Sequence, residues 1–178
     1  ESAKEKGYEV LLLDSPIIPH LMQKLESKKE KIKFSRVDSD TLENLIKKDE
    51  EVISKLTDEE KEKLKPMIET AVENEKYTVQ LEALDSNSMP FMLAQPEFMR
   101  RMKEMQQTGG GAMGNLPDMY SLIVNTNHEL VGKILNTRTE KKRNSLIKQS
   151  IDLAKLSQNN LTGKDLTEFI NRSIDLIK

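Results

Sequence analysis

The chain has 178 residues and a mass of 20.4 kDa, enough for one ordinary domain or one domain plus a piece of another. Apolar residues make up 36% and charged residues 33%, a balance that favours charged, exposed helices over a thick globule. The 28 basic and 30 acidic residues leave a net charge of −2, too even for a strong phosphate-binding surface. Zero Cys removes disulfides and thiolate chemistry, and no apolar run reaches the roughly 18 residues of a membrane span.

In chain order, Gly7 precedes a continuous apolar run, Val10 to Leu13, which suits a strand buried on both faces. Asp14, Ser15 and Pro16 turn the chain into an amphipathic helix predicted from Ile17 to Leu25, with Pro16 in its first turn. Lys28 to Lys65 carries 11 basic and 11 acidic residues, the pattern of solvated helix faces and linkers. Within it, Asp40 and Glu43 resemble a capping box, and Leu42, Leu45, Ile46, Val52, Ile53 and Leu56 follow at helical spacing. Thr57 and Glu60 start another helix with Leu64, Met67, Ile68, Ala71 and Val72 on its apolar face, and Pro66 predicts a kink or break in it.

The period then changes from 3.6 to 2. Tyr77, Val79, Leu81 and Ala83 alternate with polar residues, which describes a strand with one buried face. Met89 to Leu93 is a second strand, placed at an edge by Pro90, and Met119 to Val124 is a third. A helix from Pro96 to Gln107 and a loop with Gly109, Gly110, Gly111 and Gly114, predicted mobile, lie between the last two. Asn127 can cap a helix through Leu135. A long helix from about Lys142 to Leu156 and a last one opened by Thr162 and Asp165 end the chain. The fold class expected is α+β: a small three-stranded, mostly antiparallel sheet with flanking helices and a C-terminal helical element.

Nothing in the sequence assembles a catalytic, cofactor or metal site. His20 and His128 are far apart, with no second ligand at metal spacing, and read as surface or capping residues. Residues 109–114 match a dinucleotide fingerprint literally, but they follow a helix instead of a strand. The basic clusters at Arg100, Arg101 and Lys103 and at Lys141 to Arg143 lack interleaved aromatics, so no nucleic-acid partner is expected.

Two apolar patterns carry more information. Seven of the nine Met residues fall between positions 89 and 119. Phe98, Met99, Met102 and Met105 span an arc of about 120° on their helix. That face is either core or an adaptable binding surface, because unbranched, polarizable side chains tolerate many partners. Farther along, Leu146, Ile147, Ile151, Leu153, Ala154 and Leu156 cover roughly 220°, too wide for one neighbour. The last helix presents Leu166, Phe169, Ile170, Ile174 and Ile177 on one face, and burying five such side chains stabilises by at most about 8 to 15 kcal/mol. The hairpin must therefore dock on its own sheet, on a second subunit, or on both. Symmetric pairing would form a four-helix bundle.

The segments GYEVLLLD (7–14), MPF (89–91), EFMRRM (97–102), YSLIVNTNHEL (120–130) and LAKL (153–156), in this order and spacing, resemble the C-terminal part of the ninety-kilodalton heat-shock chaperone family in its bacterial form. The resemblance covers essentially the whole chain. It implies that residues 1–37 end a middle domain and that 38–178 form a C-terminal dimerisation domain. The parent would be a cytoplasmic, homodimeric chaperone driven by ATP and magnesium. The family's nucleotide pocket lies in another domain, so this segment is expected to hold no cofactor and to have no ATPase activity. Its partners would be a second copy and partly folded client proteins, with no membrane. By position, Phe98, Met99, Met102 and Met105 correspond to the client-facing helix, and a further client-contacting aromatic of the family falls at His20. The dimer bundle corresponds to Leu146, Ile147, Ile151, Leu153, Leu156, Leu166, Phe169, Ile170, Ile174 and Ile177. The rival reading is a purely structural oligomerisation module.

Overall fold

The computed structural model describes residues 2–5, 7–15, 17–29, 31–45, 52–72, 76–102 and 119–177. The chain divides into two compact units, Glu1–Lys48 with Gln95–Met119, and Asp49–Ala94 with Tyr120–Lys178.

In the second unit, the alternating and continuous apolar runs form β1 (Tyr77–Glu82), β2 (Phe91–Ala94) and β3 (Tyr120–Asn125). The strand order is β1-β3-β2. Central β3 has Leu122, Ile123 and Val124 all buried, as its unbroken apolar run requires. β2 lies at an edge, where Pro90 ends the pairing by accepting a bond from the Asn125 amide at 2.9 Å. The fold is α+β as expected, but the sheet is mixed. β2 pairs with β3 antiparallel, while β1 pairs with β3 in parallel, Val79 opposite Leu122. The long 83–119 connection supplies the crossover that parallel pairing needs.

One sheet face, with Val79, Phe91, Leu93, Leu122 and Val124, carries the main core. Leu64 and Ile68 of α4 (Asp58–Val72), Val131 and Ile134 of α6 (Glu129–Asn136), and Ile147, Ile151 and Ala154 of α7 (Glu140–Ser157) join it there. α4 opens with the predicted capping box. The Thr57 amide donates to Glu60 Oε2 at 2.9 Å, and the Glu60 amide donates to Thr57 Oγ1 at 3.3 Å. The helix continues through Pro66 without a break, held on either side by the fully buried Leu64 and Ile68.

Of the stretch from 42 to 56 predicted helical, Leu42–Leu45 forms α3, residues 46–51 lie outside the described residues, and residues 52–57 are not helical. Their backbone is committed elsewhere. Asn127 Oδ1 accepts from the Lys55 amide at 2.6 Å, and its Nδ2 donates to the carbonyls of Ile53 and Leu84 at 3.0 Å each. Thr126 Oγ1 accepts from Ser54 at 3.0 Å, while Asn125 Oδ1 accepts from the amides of Leu84 (3.2 Å) and Asn127 (3.0 Å). This cluster, built on the buried Asn125, Thr126 and Asn127, pins the 53–55 segment to the ends of β1 and β3. With Asn127 so occupied, His128 caps α6 instead, its Nδ1 accepting from the Leu130 amide at 3.0 Å.

α7 stops in a Schellman turn. Asn159, at φ 55°, takes the left-handed position. Its amide donates to Leu156 O at 3.0 Å and that of Asn160 to Lys155 O at 2.8 Å. α8 (Gly163–Ile177) follows.

In the first unit, α1 (Ser2–Glu5) precedes a stretch without regular secondary structure, 8–15. Val10 to Leu13 forms no strand and is exposed, Leu12 to 93%. A strand needs a pairing neighbour, and none is present among the described residues. α2 runs Ile18–Lys28, with Pro19 in its first turn; Pro16, predicted to stand there, lies outside the described residues. Residues 97–102 form a further helical stretch, α5.

Candidate functional site

Two surfaces, one in each unit, carry the residues singled out by the sequence. On α5, Phe98 is 68% exposed, Met99 and Met102 are half-buried, and Met105 lies outside the described residues, as does the glycine loop. Arg100 and Arg101 tie this stretch down within its own unit. Arg101 Nη1 donates to Glu26 Oε2 at 2.7 Å and Nη2 to Glu26 Oε1 at 3.3 Å, while Nε donates to Glu97 Oε1 at 2.8 Å. Arg101 Nη2 also reaches the Phe34 carbonyl at 2.8 Å, and Glu26 Oε1 accepts from the Phe34 amide at 2.8 Å. Arg100 Nη1 donates to Asp38 Oδ1 at 2.8 Å, and its Nε to Gln95 Oε1 at 3.3 Å.

These bonds shift the groups that make them. Hydrogen bonding from Arg101, with the Phe34 amide, holds the Glu26 carboxyl below the usual glutamate value. Partial burial raises Asp38, but hydrogen bonds from Arg100 and Arg36 outweigh it and hold the group low. The bond to Glu26 in turn raises Arg101. The arginines read as a basic cluster are therefore engaged with carboxylates, which leaves little for a phosphate backbone.

On the second surface, α8 meets α7 through polar groups. Gln149 Nε2 donates to Ser173 Oγ at 2.8 Å, and Arg172 Nε donates to Gln149 Oε1 at 3.0 Å. Arg172 Nη2 pairs with the buried Asp152. Burial pushes the Asp152 carboxyl up, against the attraction of Arg172. No residue of α8 is buried. Ile170 and Ile174 are each 48% exposed and Ile177 85%, and on α7 Leu153 and Leu156 are exposed as well.

Comparison with known proteins names the relatives. No protein-family model matches the chain. Chaperone protein HtpG of Porphyromonas gingivalis is 40% identical over 159 residues, covering 86% of this chain and 23% of that protein. Chaperone protein HtpG of Bacteroides thetaiotaomicron is 31% identical over an alignment 246 residues long, covering 99% of this chain and 36% of that protein. The chain belongs to the HtpG chaperone family. It spans about a quarter to a third of the length of the curated relatives it matches.

For an HtpG family member, the residues expected at a self-association seam divide by burial. Ile147 and Ile151 differ from the expectation: both are buried in the chain's own core, because α7 turns one side of its broad apolar arc onto the sheet. Leu146 packs against the same core, half-buried. Leu166 and Phe169 are also half-buried, whereas Leu153, Leu156, Ile170, Ile174 and Ile177 stay open. His20 is exposed. Sequence reasoning missed Glu26, Asp38, Gln149 and Arg172. Their bonds to Arg101, Arg100, Ser173 and Asp152 join positions separated by 20 to 75 residues, so no local spacing marks them. Among the described residues no group of three or more His, Cys, Asp or Glu is placed to hold a metal, and no helix is long and apolar enough to cross a membrane.

Proposed function

We propose that this chain supplies the self-association element and a client-docking surface of an HtpG-type chaperone, and that it works by binding rather than by catalysis. The parent chaperone is cytoplasmic and uses ATP and magnesium in a domain other than these residues; residues 1–37 close its middle domain and 38–178 form its dimerisation domain. Two copies pair through Leu153, Leu156, Leu166, Phe169, Ile170, Ile174 and Ile177. Apolar segments of partly folded proteins then dock on Phe98, Met99, Met102 and Met105, each contact weak and the doubled array stronger through effective concentration.

The observation that carries this reading is α8, a 15-residue amphipathic helix without a single buried residue. An amphipathic helix gains its stability from a covered apolar face, and the packing within one chain does not cover this one. Light scattering tests it directly. A mass of two chains is expected well above micromolar concentration, and a single-chain mass there overturns the reading. Phe98→Ser with Met102→Ser tests the client surface. Weaker suppression of the aggregation of heat-denatured citrate synthase, with an unchanged melting temperature, is expected. A large drop in melting temperature would instead favour the structural-module reading, with these side chains serving as core.

A further inference from the structure

The described residues of α5 include no buried side chain, so packing alone does not explain why this helical stretch keeps its place. Its polar bonds do. The Arg101 guanidinium reaches Glu26, Glu97 and the Phe34 carbonyl at once, and Glu26 also accepts the Phe34 amide. One side chain thus joins α2, the irregular 31–36 stretch and α5. Arg100 and Asp38 make a second tie. The Arg101 and Glu26 side chains are only 23% and 21% exposed, and a bidentate, partly desolvated arginine fork is the geometry in which an ion pair fixes position instead of merely contributing surface charge.

We propose that Arg101 and Glu26 are positioning residues, a clamp that holds α5 on the 26–38 stretch and keeps Phe98, one turn from Arg101, presented to solvent. The part concerning Phe98 rests on the client-docking reading above; the clamp itself does not. A planar fork spanning three acceptors is not replaced by a point charge, so Lys at position 101 is a poor substitute.

The test uses the 178-residue chain in four forms: wild type, Arg101→Gln, Glu26→Gln, and the double variant Arg101→Gln with Glu26→Gln. Amide hydrogen exchange over 97–102 reads the clamp, and suppression of citrate synthase aggregation reads the surface, with Phe98→Ser as the control for docking. Both single variants should exchange roughly tenfold faster over 97–102 and suppress aggregation less, with the β3 amides unchanged. The double variant should be no worse than about the stronger single one, because two losses through one shared pair are less than additive, whereas unrelated losses of stability would add. Unchanged exchange in both single variants overturns the clamp, whatever the client assay reads. Faster exchange with full suppression overturns its presentation role. If Phe98→Ser keeps full suppression, the docking reading fails, and the exchange data alone then decide whether the clamp positions α5.

Discussion

Ile170→Asp and Ile174→Asp probe the open face of α8. Each isoleucine is 48% exposed, so about half of the 1.5 to 3 kcal/mol available from burying such a side chain remains for a partner, roughly 1 kcal/mol per copy. A twofold seam uses each residue twice, which makes about 2 kcal/mol. An unpaired carboxylate taken into the seam adds at least about 1 to 3 kcal/mol more. The combined loss of about 3 to 5 kcal/mol raises the dimer dissociation constant by roughly two to four powers of ten. Within one chain neither residue is buried, so the fold itself should persist. Light scattering over a dilution series reads the mass, and circular dichroism at matched concentrations reads the helix content, because melting of an oligomer depends on concentration. Wild-type mass in both variants at every dilution would refute the seam.

The contrast with Ile147 is informative. Ile147→Ala removes a fully buried side chain from the sheet-facing core and should cost about 2 to 5 kcal/mol of stability, read from urea unfolding in a dimer-disrupted background. Asn127→Ala orphans the Lys55 amide and the carbonyls of Ile53 and Leu84, with an expected loss of about 3 kcal/mol or more by the same measurement. Acid should loosen α5 selectively. Glu26 and Asp38 are held below their ordinary values of 4.5 and 3.8, so their contribution is present above those values and is lost as pH falls through the lower folded ones. Exchange over 97–102 should therefore be unaltered between pH 7 and pH 5, after correction for the intrinsic rate, and should accelerate only in stronger acid. Asp152 has the opposite sign. Its raised carboxyl makes ionisation unfavourable to the fold, a penalty that sets in as pH rises through its folded value, so mild acid should not weaken the second unit through this residue.

Much of the second unit was legible because its signals are local. The period-2 run at Tyr77 to Leu81, the Thr57 and Glu60 box and the edge-marking Pro90 each act over a few residues, and each reappears in the structure. The misreadings fall where distant groups compete. Residues 52–56 have helical apolar spacing, yet Asn127, more than 70 positions away, claims their backbone. Val10 to Leu13 has the composition of a buried strand, but a strand's hydrogen bonds belong to its neighbour, and composition does not supply one. The parallel pairing of β1 with β3 depends on the order in which strands enter the sheet, which periodicity does not encode. The arginine clamp was hidden for the same reason, since Arg101 stands 75 positions from Glu26.

The width of the apolar arc on α7 was legible, but its division was not. A helix that is apolar over roughly 220° can bury one side and expose another, and the choice is made by the polar residues on the facing helices. Gln149, Asp152, Arg172 and Ser173 bond one another between α7 and α8. Rolling α8 so that Ile170 and Ile174 covered α7 would break these bonds. Buried Asp152 would then lose Arg172, and an uncompensated buried charge costs more than the half-covered isoleucines would regain. The polar contact therefore works as a directional constraint that keeps the apolar stripe of α8 turned away from its own chain. Arg172→Met with Asp152→Leu removes that constraint without leaving a charge behind. If the argument holds, the double variant should bury part of the stripe internally, gain stability as a single chain and lose self-association; an undiminished dimer would show that the stripe's direction has another cause.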